Sequence, residues 1–299
     1  MKQWLITWFK AARAPFLVVS FLPCLLGGAL AYLRGNFNTL HFILAALGIV
    51  MAHSAADFVD DYFDFKKGNL GNKVQQFHDS PLIDGKVTLN QVLIATAICL
   101  AVALACGVYL LAVVGLPVVV LVLIGLFIVF FYTSPPVRLN YRGLGETALF
   151  LAFGPMIVVG MLYVLSGQFS LEALVISLVP GIFTMNVGVV SNTFDVPDDI
   201  KSGKRTLPVR FGQVNAVRLL AAGSLVAYLA ILLGVIFGLL PAWTLLVLLS
   251  APLALDTIRH ASRFGDESHY TPAMGRAIAL SSAASLLLTV GYVIPIVAG

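Results

Sequence analysis

The chain has 299 residues, of which 60% are hydrophobic and only 11% are charged, with 18 basic and 14 acidic side chains giving a formal net charge of +4. Such a composition excludes a water-soluble enzyme. Its apolar runs are close to the about 20 residues that a helix needs to cross a bilayer, so the sequence predicts an all-α polytopic membrane protein.

Nine apolar segments follow one another along the chain. They cover residues 15–33, 40–58, 89–112, 115–133, 145–166, 171–194, 215–238, 241–257 and 276–298. The third and fourth are separated only by a short turn at Gly115-Leu116-Pro117, and the eighth is the shortest. No soluble domain interrupts the series. We therefore expect one integral-membrane domain over residues 1–299, with about nine helices around a central cavity that opens to the cytoplasmic face.

The basic residues indicate how the helices are oriented. If the N-terminus is cytoplasmic, seventeen of the eighteen Lys and Arg residues fall on the cytoplasmic side and only Arg34 falls on the other. This partition follows the positive-inside rule. The first segment lacks a small-residue cleavage site, so we expect a retained helix rather than a signal peptide. The C-terminus is then outside, and the long loops 59–88, 134–144 and 195–214 share the cytoplasmic face.

Two acidic clusters lie where an apolar segment ends. They comprise Asp57, Asp60, Asp61 and Asp64 after the second segment, and Asp195, Asp198 and Asp199 at the end of the sixth. The spacing within each cluster predicts a single helical face, on which like charges repel unless a cation neutralises them. Carboxylates at a membrane boundary usually mark function. Because hard cations prefer oxygen ligands, the seven aspartates predict an Mg²⁺ site, with Mn²⁺ as an alternative.

Basic residues follow both clusters. They are Lys66, Lys67 and Lys73 after the first, and Lys201, Lys204 and Arg205 after the second. Beside a bound metal they would neutralise a diphosphate group, although positive-inside topology alone would also explain several of them. The sequence has neither a Walker A motif nor a GxGxxG fingerprint, and we expect no nucleic-acid partner.

The middle loop and the second segment supply further candidates. Tyr132 and Tyr141 are either interfacial aromatics or face a cation formed in the reaction. Glu146 begins the fifth segment, where the helix dipole favours an anion. His53 lies one turn before Asp57 and is either a partner of the metal ligands or a structural histidine.

At these residues the sequence resembles the UbiA superfamily of intramembrane prenyltransferases. That family carries NDxxDxxxD near the end of the second helix and DxxxD near the end of the sixth, where this chain has Asp60 to Gly68 and Asp195 to Asp199. The tracts 13–15, 61–68, 141–146, 153–155 and 203–212 resemble the branch that prenylates 1,4-dihydroxy-2-naphthoate. The chain departs from that pattern at Asp57 and Asp60, where asparagine is usual, and at Phe194, where arginine is common.

The resemblance implies Mg²⁺-dependent transfer of a polyprenyl group from its diphosphate to an aromatic acceptor through an allylic cation. The expected acceptor is 1,4-dihydroxy-2-naphthoate, in menaquinone biosynthesis. Asp61, Asp64, Asp195 and Asp199 would be catalytic metal ligands, with the other three aspartates beside them. The residues expected to face the acceptor or the cation are Arg13, His53, Tyr132, Arg138, Tyr141 and Arg142. The isoprenoid tail would lie among the helices and open to membrane lipid.

Other functions remain open at this stage. The same chemistry applies to other acceptors, such as 4-hydroxybenzoate or a prenylglyceryl phosphate lipid. A terpene cyclase of the same fold would ionise the diphosphate without any acceptor. A cation-coupled transporter would place its carboxylates near the middle of the bilayer, whereas these lie at one surface.

Overall fold

The computed structural model describes residues 2–68 and 81–298, which are predominantly helical. The α-helices are α1 Lys2–Ala11, α2 Val18–Leu33, α3 Thr39–Lys67, α4 Leu89–Val114, α5 Pro117–Phe131, α6 Gly145–Leu151, α7 Ile157–Ser166, α8 Leu171–Phe194, α9 Val196–Ser202, α10 Leu207–Phe211, α11 Gln213–Ile236, α12 Ala251–Ala261 and α13 Tyr270–Ala298. Short 3₁₀ segments cover Ala14–Leu17, Leu139–Arg142, Ala242–Ser250 and Glu267–His269, and a π-helical turn, Ala152–Met156, joins α6 to α7. No β-strand occurs within these two ranges, so the all-α prediction is confirmed.

Eight helical units of the described chain are long and apolar enough to cross a membrane. They are Ala14–Leu33, Thr39–Lys67, Leu89–Val114, Gly145–Ser166, Leu171–Phe194, Gln213–Ile236, Ala242–Ala261 and Glu267–Ile296. The predicted fourth segment forms α5, a shorter apolar helix of 15 residues. The nine predicted segments are therefore eight long helical units and one short helix.

Local sequence signals set the ends of the helices that carry the acidic clusters. The side chain of Asn38 caps α3 by accepting a hydrogen bond from the backbone N–H of His41 at 3.0 Å, and Ser170 caps α8 in the same way. α3 ends at Lys67 and is capped by Gly68, whose φ of +68° is a left-handed conformation that glycine adopts without steric cost. The helix runs unbroken for 29 residues, so its acidic end continues directly from its apolar part.

α8 lies in the core, where it packs against α11, α13 and the α6–α7 unit. Its contact with the π-helical turn is unusually close, because a methyl group on Gly154 would lie 2.7 Å from the Cα of Gly181. Only glycine permits backbones to approach so closely. This contact fixes α6, which begins at the middle loop, beside the C-terminal half of α8.

Candidate active site

The first acidic cluster lies on α3 and surrounds one arginine. Arg13 stands between α1 and the following 3₁₀ turn, and its guanidinium lies 3.9 Å from Asp57 Oδ1 and 3.8 Å from Asp60 Oδ2. It also donates a hydrogen bond to Asp61 Oδ1. Burial by itself lowers the pKa of Arg13, but the three carboxylates outweigh it and raise that pKa above its usual value. The guanidinium is therefore a fixed positive charge on the acidic face of α3.

The second cluster is arranged differently from our expectation. The three aspartates were expected together at the end of the sixth segment. Instead, α8 ends at Phe194, and Asp195 is the N-cap of a new short helix, α9. Pro197 explains the break, since proline lacks the N–H that would continue α8 and suits the first turn of a new helix. Asp198 and Asp199 consequently lie at a helix N-terminus, where the dipole favours negative charge.

The two aspartates at the start of α9 lie in different environments. The side chain of Asp198 is 43% exposed and pairs with Lys201 at 3.2 Å on the surface. Asp199 is only 2% exposed and accepts a hydrogen bond from Thr206 Oγ1 at 3.1 Å. Burial raises the pKa of Asp199 to about 7, against the lowering effect of Lys204 and Thr206 and with a smaller contribution from Asp195.

A buried lysine joins the two clusters. Lys204 Nζ lies 3.3 Å from Asp64 Oδ2 on α3 and 3.9 Å from Asp199 Oδ1 on α9. Asp64 is 1% exposed and Lys204 is 7% exposed, so water screens these charges weakly. The carboxylates of the two motifs thus meet at a cation, although Asp64 and Asp199 are far apart in sequence.

Three cations surround the ring of Tyr141, which is buried in the 3₁₀ segment of the middle loop. The distances to the ring centroid are 3.7 Å from Lys67 Nζ, 5.4 Å from Lys204 Nζ and 5.7 Å from the Arg138 guanidinium carbon. The electron-rich face of an aromatic ring attracts cations that would otherwise repel one another. Positive charges from three separate segments are therefore held next to the carboxylates, which suits the binding of a polyanion.

The end of α5 contributes two neighbouring residues to the site. Thr133 Oγ1 donates a hydrogen bond to Asp60 Oδ1 on α3. Tyr132 precedes Thr133 and lies near the charges of Asp60 and Glu146. The Tyr132 phenol therefore lies among carboxylates from different segments. Nothing in the sequence signals the contact of Thr133.

Glu146 is a buried connector rather than only an anion at a helix start. Its Oε1 accepts hydrogen bonds from Asn192 Nδ2 at 2.9 Å and from the backbone N–H of Leu207 at 3.0 Å. These bonds tie the start of α6 to the end of α8 and to α10. Sequence reasoning missed Asn192, because an asparagine in an apolar helix gives no indication of its partner.

An apolar cavity of about 230 Å³ begins beside the first cluster. Its wall is formed by α3, α4, α5, the π-helical turn and α7, and Ser20 and His53 supply polar atoms. His53 Nδ1 lies 3.0 Å from Ser20 Oγ, while its Nε2 lies 3.7 Å from Asp57 Oδ2. Leu104, another lining residue, is 40% exposed on the outer surface of the helix bundle. The cavity therefore extends from the acidic face of α3 toward the surface that faces lipid.

Other residues that were expected at the site have contacts elsewhere or are exposed. Lys66 lies over the ring of Tyr62 at 5.1 Å, and Arg142 donates a hydrogen bond to the carbonyl oxygen of Pro136 at 3.2 Å. Arg205 is exposed, as is Lys201. Lys73 lies outside the described residues.

The donor chemistry of the site fits a hard divalent cation, because all its acidic groups offer carboxylate oxygens. Within residues 2–68 and 81–298, no three His, Cys, Asp or Glu side chains are grouped so as to hold a metal ion as they stand. Arg13 and Lys204 instead lie beside these carboxylates. The ammonium group of Lys204 marks a point where Asp64 and Asp199 together accommodate positive charge.

Comparison with known proteins identifies the family of the chain. Residues 20–269 match the model of the UbiA prenyltransferase family. The chain belongs to this family. It is therefore a prenyltransferase, and its eight long apolar helices make it an integral membrane protein.

Two relatives and one solved structure illustrate the similarity. The chain is 29% identical to a 2-carboxy-1,4-naphthoquinone phytyltransferase of Synechocystis sp., over 95% of this chain and 92% of the relative. It is 26% identical to a 1,4-dihydroxy-2-naphthoate octaprenyltransferase of Bacillus subtilis, over 85% and 81%. The structure of a UbiA homolog from Archaeoglobus fulgidus bound to GPP and Mg²⁺ has a TM-score of 0.61 at 16% identity, covering 95% of this chain and 99% of that one. This last similarity concerns the fold.

Proposed function

We propose that this single-domain membrane enzyme transfers a polyprenyl group from a polyprenyl diphosphate to 1,4-dihydroxy-2-naphthoate, as a step of menaquinone biosynthesis. One observation carries the proposal: Lys204 joins the buried carboxylates Asp64 and Asp199 to the cations around Tyr141, and the apolar cavity is lined by His53 on the same helix as Asp64. These three features match the three parts of the substrate complex, namely the metal, the diphosphate and the tail.

The carboxylates would hold the metal. Asp61, Asp64, Asp195 and Asp199 are the proposed ligands of Mg²⁺, for which Mn²⁺ is a chemical substitute. When bound, the ion neutralises negative charge on the diphosphate and so makes it a better leaving group. The A. fulgidus homolog bound to GPP and Mg²⁺ supports this pairing of a metal with a prenyl diphosphate.

The basic residues around Tyr141 would stabilise the departing diphosphate. As the C–O bond breaks, the diphosphate leaves with the electron pair and negative charge accumulates on its oxygens. Lys67, Lys204 and Arg138, which lie around the Tyr141 ring, would supply positive charge to these oxygens. The electron-rich ring of the acceptor would then attack the allylic cation that remains, and loss of a proton or of carbon dioxide from the attacked carbon would restore the aromatic ring. The phenol of Tyr132 would face this reaction centre.

The charge distribution supports an orientation with the N-terminus and the active site in the cytoplasm. Seventeen of the eighteen basic residues fall on that side when the nine apolar segments are threaded through the membrane in order. In this orientation the C-terminus would be outside. The tail of the substrate would occupy the cavity between α3, α4, α5 and α7, next to membrane lipid.

The choice of acceptor is supported by the two relatives, whose names specify naphthalene-derived acceptors. The test is to incubate the purified protein with Mg²⁺, geranylgeranyl diphosphate and one acceptor at a time, and to identify products by mass spectrometry. The acceptors are 1,4-dihydroxy-2-naphthoate, 4-hydroxybenzoate and a prenylglyceryl phosphate lipid. We expect a prenylated product only with the naphthoate.

Two controls make the test decisive. Asp199→Ala should abolish turnover, whereas Asp266→Ala, which removes an aspartate with a 63% exposed side chain, should leave it unchanged. A product with another acceptor would refute the naphthoate assignment. A hydrocarbon formed without any acceptor would identify a terpene cyclase. Full activity of Asp199→Ala would refute the assignment of the metal ligands.

A further inference from the structure

One polar side chain in the wall of the apolar cavity is held in a fixed orientation. His53 lies on α3, one turn before Asp57, and lines the cavity together with Ser20 of α2. The other lining residues are glycines or carry aliphatic, aromatic or sulfur-containing side chains. The His53 ring stands edge-to-face on Phe153 of the π-helical turn, with ring centroids 4.8 Å apart and an angle of 80° between the planes. The imidazole is therefore a fixed polar group in a wall that is otherwise apolar.

The hydrogen bonds around His53 assign its tautomer. Ser20 Oγ donates its only proton to the backbone carbonyl oxygen of Leu17 at 2.9 Å. In the 3.0 Å contact between Ser20 Oγ and His53 Nδ1, the imidazole nitrogen must then be the donor. An imidazole beside an apolar cavity is neutral, because burying an ionised group costs more than burying a neutral one. A neutral His53 with its proton on Nδ1 has a lone pair on Nε2.

The second nitrogen, Nε2, lies at the junction of the cavity and the acidic face of α3. It is 3.7 Å from Asp57 Oδ2, which is too far for a hydrogen bond. Within residues 2–68 and 81–298, the structure shows a hydrogen bond of the His53 ring at Nδ1 only. Asp57 in turn lies 3.9 Å from the guanidinium of Arg13. The lone pair of Nε2 is thus a hydrogen-bond acceptor beside the carboxylates, and it suits a ligand that brings an O–H group.

Under the proposed function, this junction is also where the two substrates meet. The prenyl carbon that reacts is bonded to the diphosphate, so it would lie beside the carboxylates while its tail leads away along the cavity. The acceptor ring must approach the same carbon, because the new bond forms there. A hydroxylated aromatic ring has apolar faces that suit the cavity wall and O–H groups at its edge. Only these O–H groups need a polar partner.

We propose that His53 is a specificity-determining residue, which accepts a hydrogen bond from one hydroxyl group of the aromatic acceptor through Nε2. This inference rests on the proposed function and defines part of its acceptor site. Ser20 is a positioning residue, because its contact with Nδ1 keeps the lone pair on Nε2. A ring without that hydroxyl would leave the buried nitrogen without a donor, and the site discriminates against it for this reason.

The test measures the binding of acceptors to the purified full-length protein in detergent. Mg²⁺ and a thiolodiphosphate analogue of geranylgeranyl diphosphate, which does not transfer its prenyl group, are present throughout. Naphthoate fluorescence reports the Kd of 1,4-dihydroxy-2-naphthoate, 1-hydroxy-2-naphthoate and 4-hydroxy-2-naphthoate. Wild type should bind one of the two monohydroxy compounds about 5- to 100-fold more weakly than the dihydroxy compound. His53→Phe keeps a ring but has no lone pair, so its Kd values for these two compounds should agree within about twofold.

Two further variants separate recognition of the hydroxyl from a structural effect. His41→Phe makes the same substitution near the start of the same helix, where the His41 ring lies 6.4 Å from that of Tyr109, and it should keep the wild-type Kd ratio. Ser20→Ala removes the group that fixes the tautomer, so its ratio should fall between those of wild type and His53→Phe. A wild-type ratio in His53→Phe would overturn the inference and leave the proposed function intact. Absence of any naphthoate binding to wild type would instead refute the proposed acceptor, and this inference with it.

Discussion

Replacement of Lys204 by methionine removes the only charge of this side chain while keeping most of its length. In the folded protein, its ammonium group lies 3.3 Å from Asp64 and 3.9 Å from Asp199, and all three residues are less than a tenth exposed. The variant therefore leaves two buried carboxylates close together without the lysine. The perturbation is mainly electrostatic, since the flexible apolar side chain of methionine can replace the methylene chain of lysine.

The size of the effect follows from burial. Removing one partner of a buried ion pair costs about 3–5 kcal/mol, because the remaining charge stays desolvated. We expect Lys204→Met to lower the free energy of unfolding by about 3 kcal/mol at pH 8 in a chelating buffer. This value is at the lower end of that range because protonation of Asp199 relieves part of the cost. Burial already raises the pKa of Asp199 to about 7, and loss of the lysine would raise it further. A folded state that binds an extra proton loses stability as pH rises. The loss of unfolding free energy in Lys204→Met, relative to wild type, should therefore be smaller at pH 6 than at pH 8.

The assay is equilibrium unfolding in mixed micelles with increasing concentrations of a denaturing detergent, followed by circular dichroism. Lys201→Met is the matched control, because Lys201 also lies 3.2 Å from an aspartate, but its side chain is 77% exposed. Exposed pairs of this kind contribute only about 0.2–1 kcal/mol. Mg²⁺ should restore stability to Lys204→Met more than to the control, since a cation can replace the lost charge between the carboxylates.

Two results would refute this reasoning. Equal destabilisation by Lys204→Met and Lys201→Met would show that burial does not amplify the charge effect at the site. A deficit that is larger at pH 6 than at pH 8 would show that Asp199 does not take up the proton in the folded state.

Two further predictions concern the substrate. Tyr141→Leu removes the aromatic face that holds three cations. A cation–π contact is worth about 1–2 kcal/mol when desolvated. The KM for the prenyl diphosphate should therefore rise roughly 5- to 30-fold. Tyr141→Phe keeps the ring, so its KM for the prenyl diphosphate should stay near the wild-type value. If the KM of Tyr141→Leu were equal to that of Tyr141→Phe, the proposed role of the ring in holding the cations would be contradicted. Ala52→Phe places a large ring in the apolar cavity and should lower kcat/KM for long polyprenyl diphosphates more than for dimethylallyl diphosphate. Ile94→Phe is the matched control, because Ile94 lies on the lipid-facing surface and is 59% exposed. If Ala52→Phe lowered kcat/KM equally for the long and the short donor, tail binding in the cavity would be contradicted.

The sequence alone determines the architecture, because membrane helices obey a local rule. Each apolar run must satisfy its own backbone hydrogen bonds in lipid, so length and hydropathy predict the helices. The acidic face of α3 is also a local property, since spacings of three and four residues on one uninterrupted helix place carboxylates side by side. The break after α8 was also present in the sequence as Pro197, although the expectation of one continuous acidic helix passed over it.

Only the tertiary structure decided which charges meet. Lys201 and Lys204 lie three residues apart in the same basic tract, yet one is on the surface and the other is buried between Asp64 and Asp199. Likewise, the role of Glu146 depends on Asn192 of another helix. Sequence spacing predicts neighbours within one helix, but contacts between helices depend on how they pack. Aspartates with similar sequence surroundings can therefore face a metal site, a fixed arginine or water. The burial and the ion pairs of each aspartate in the folded protein determine which of these it faces.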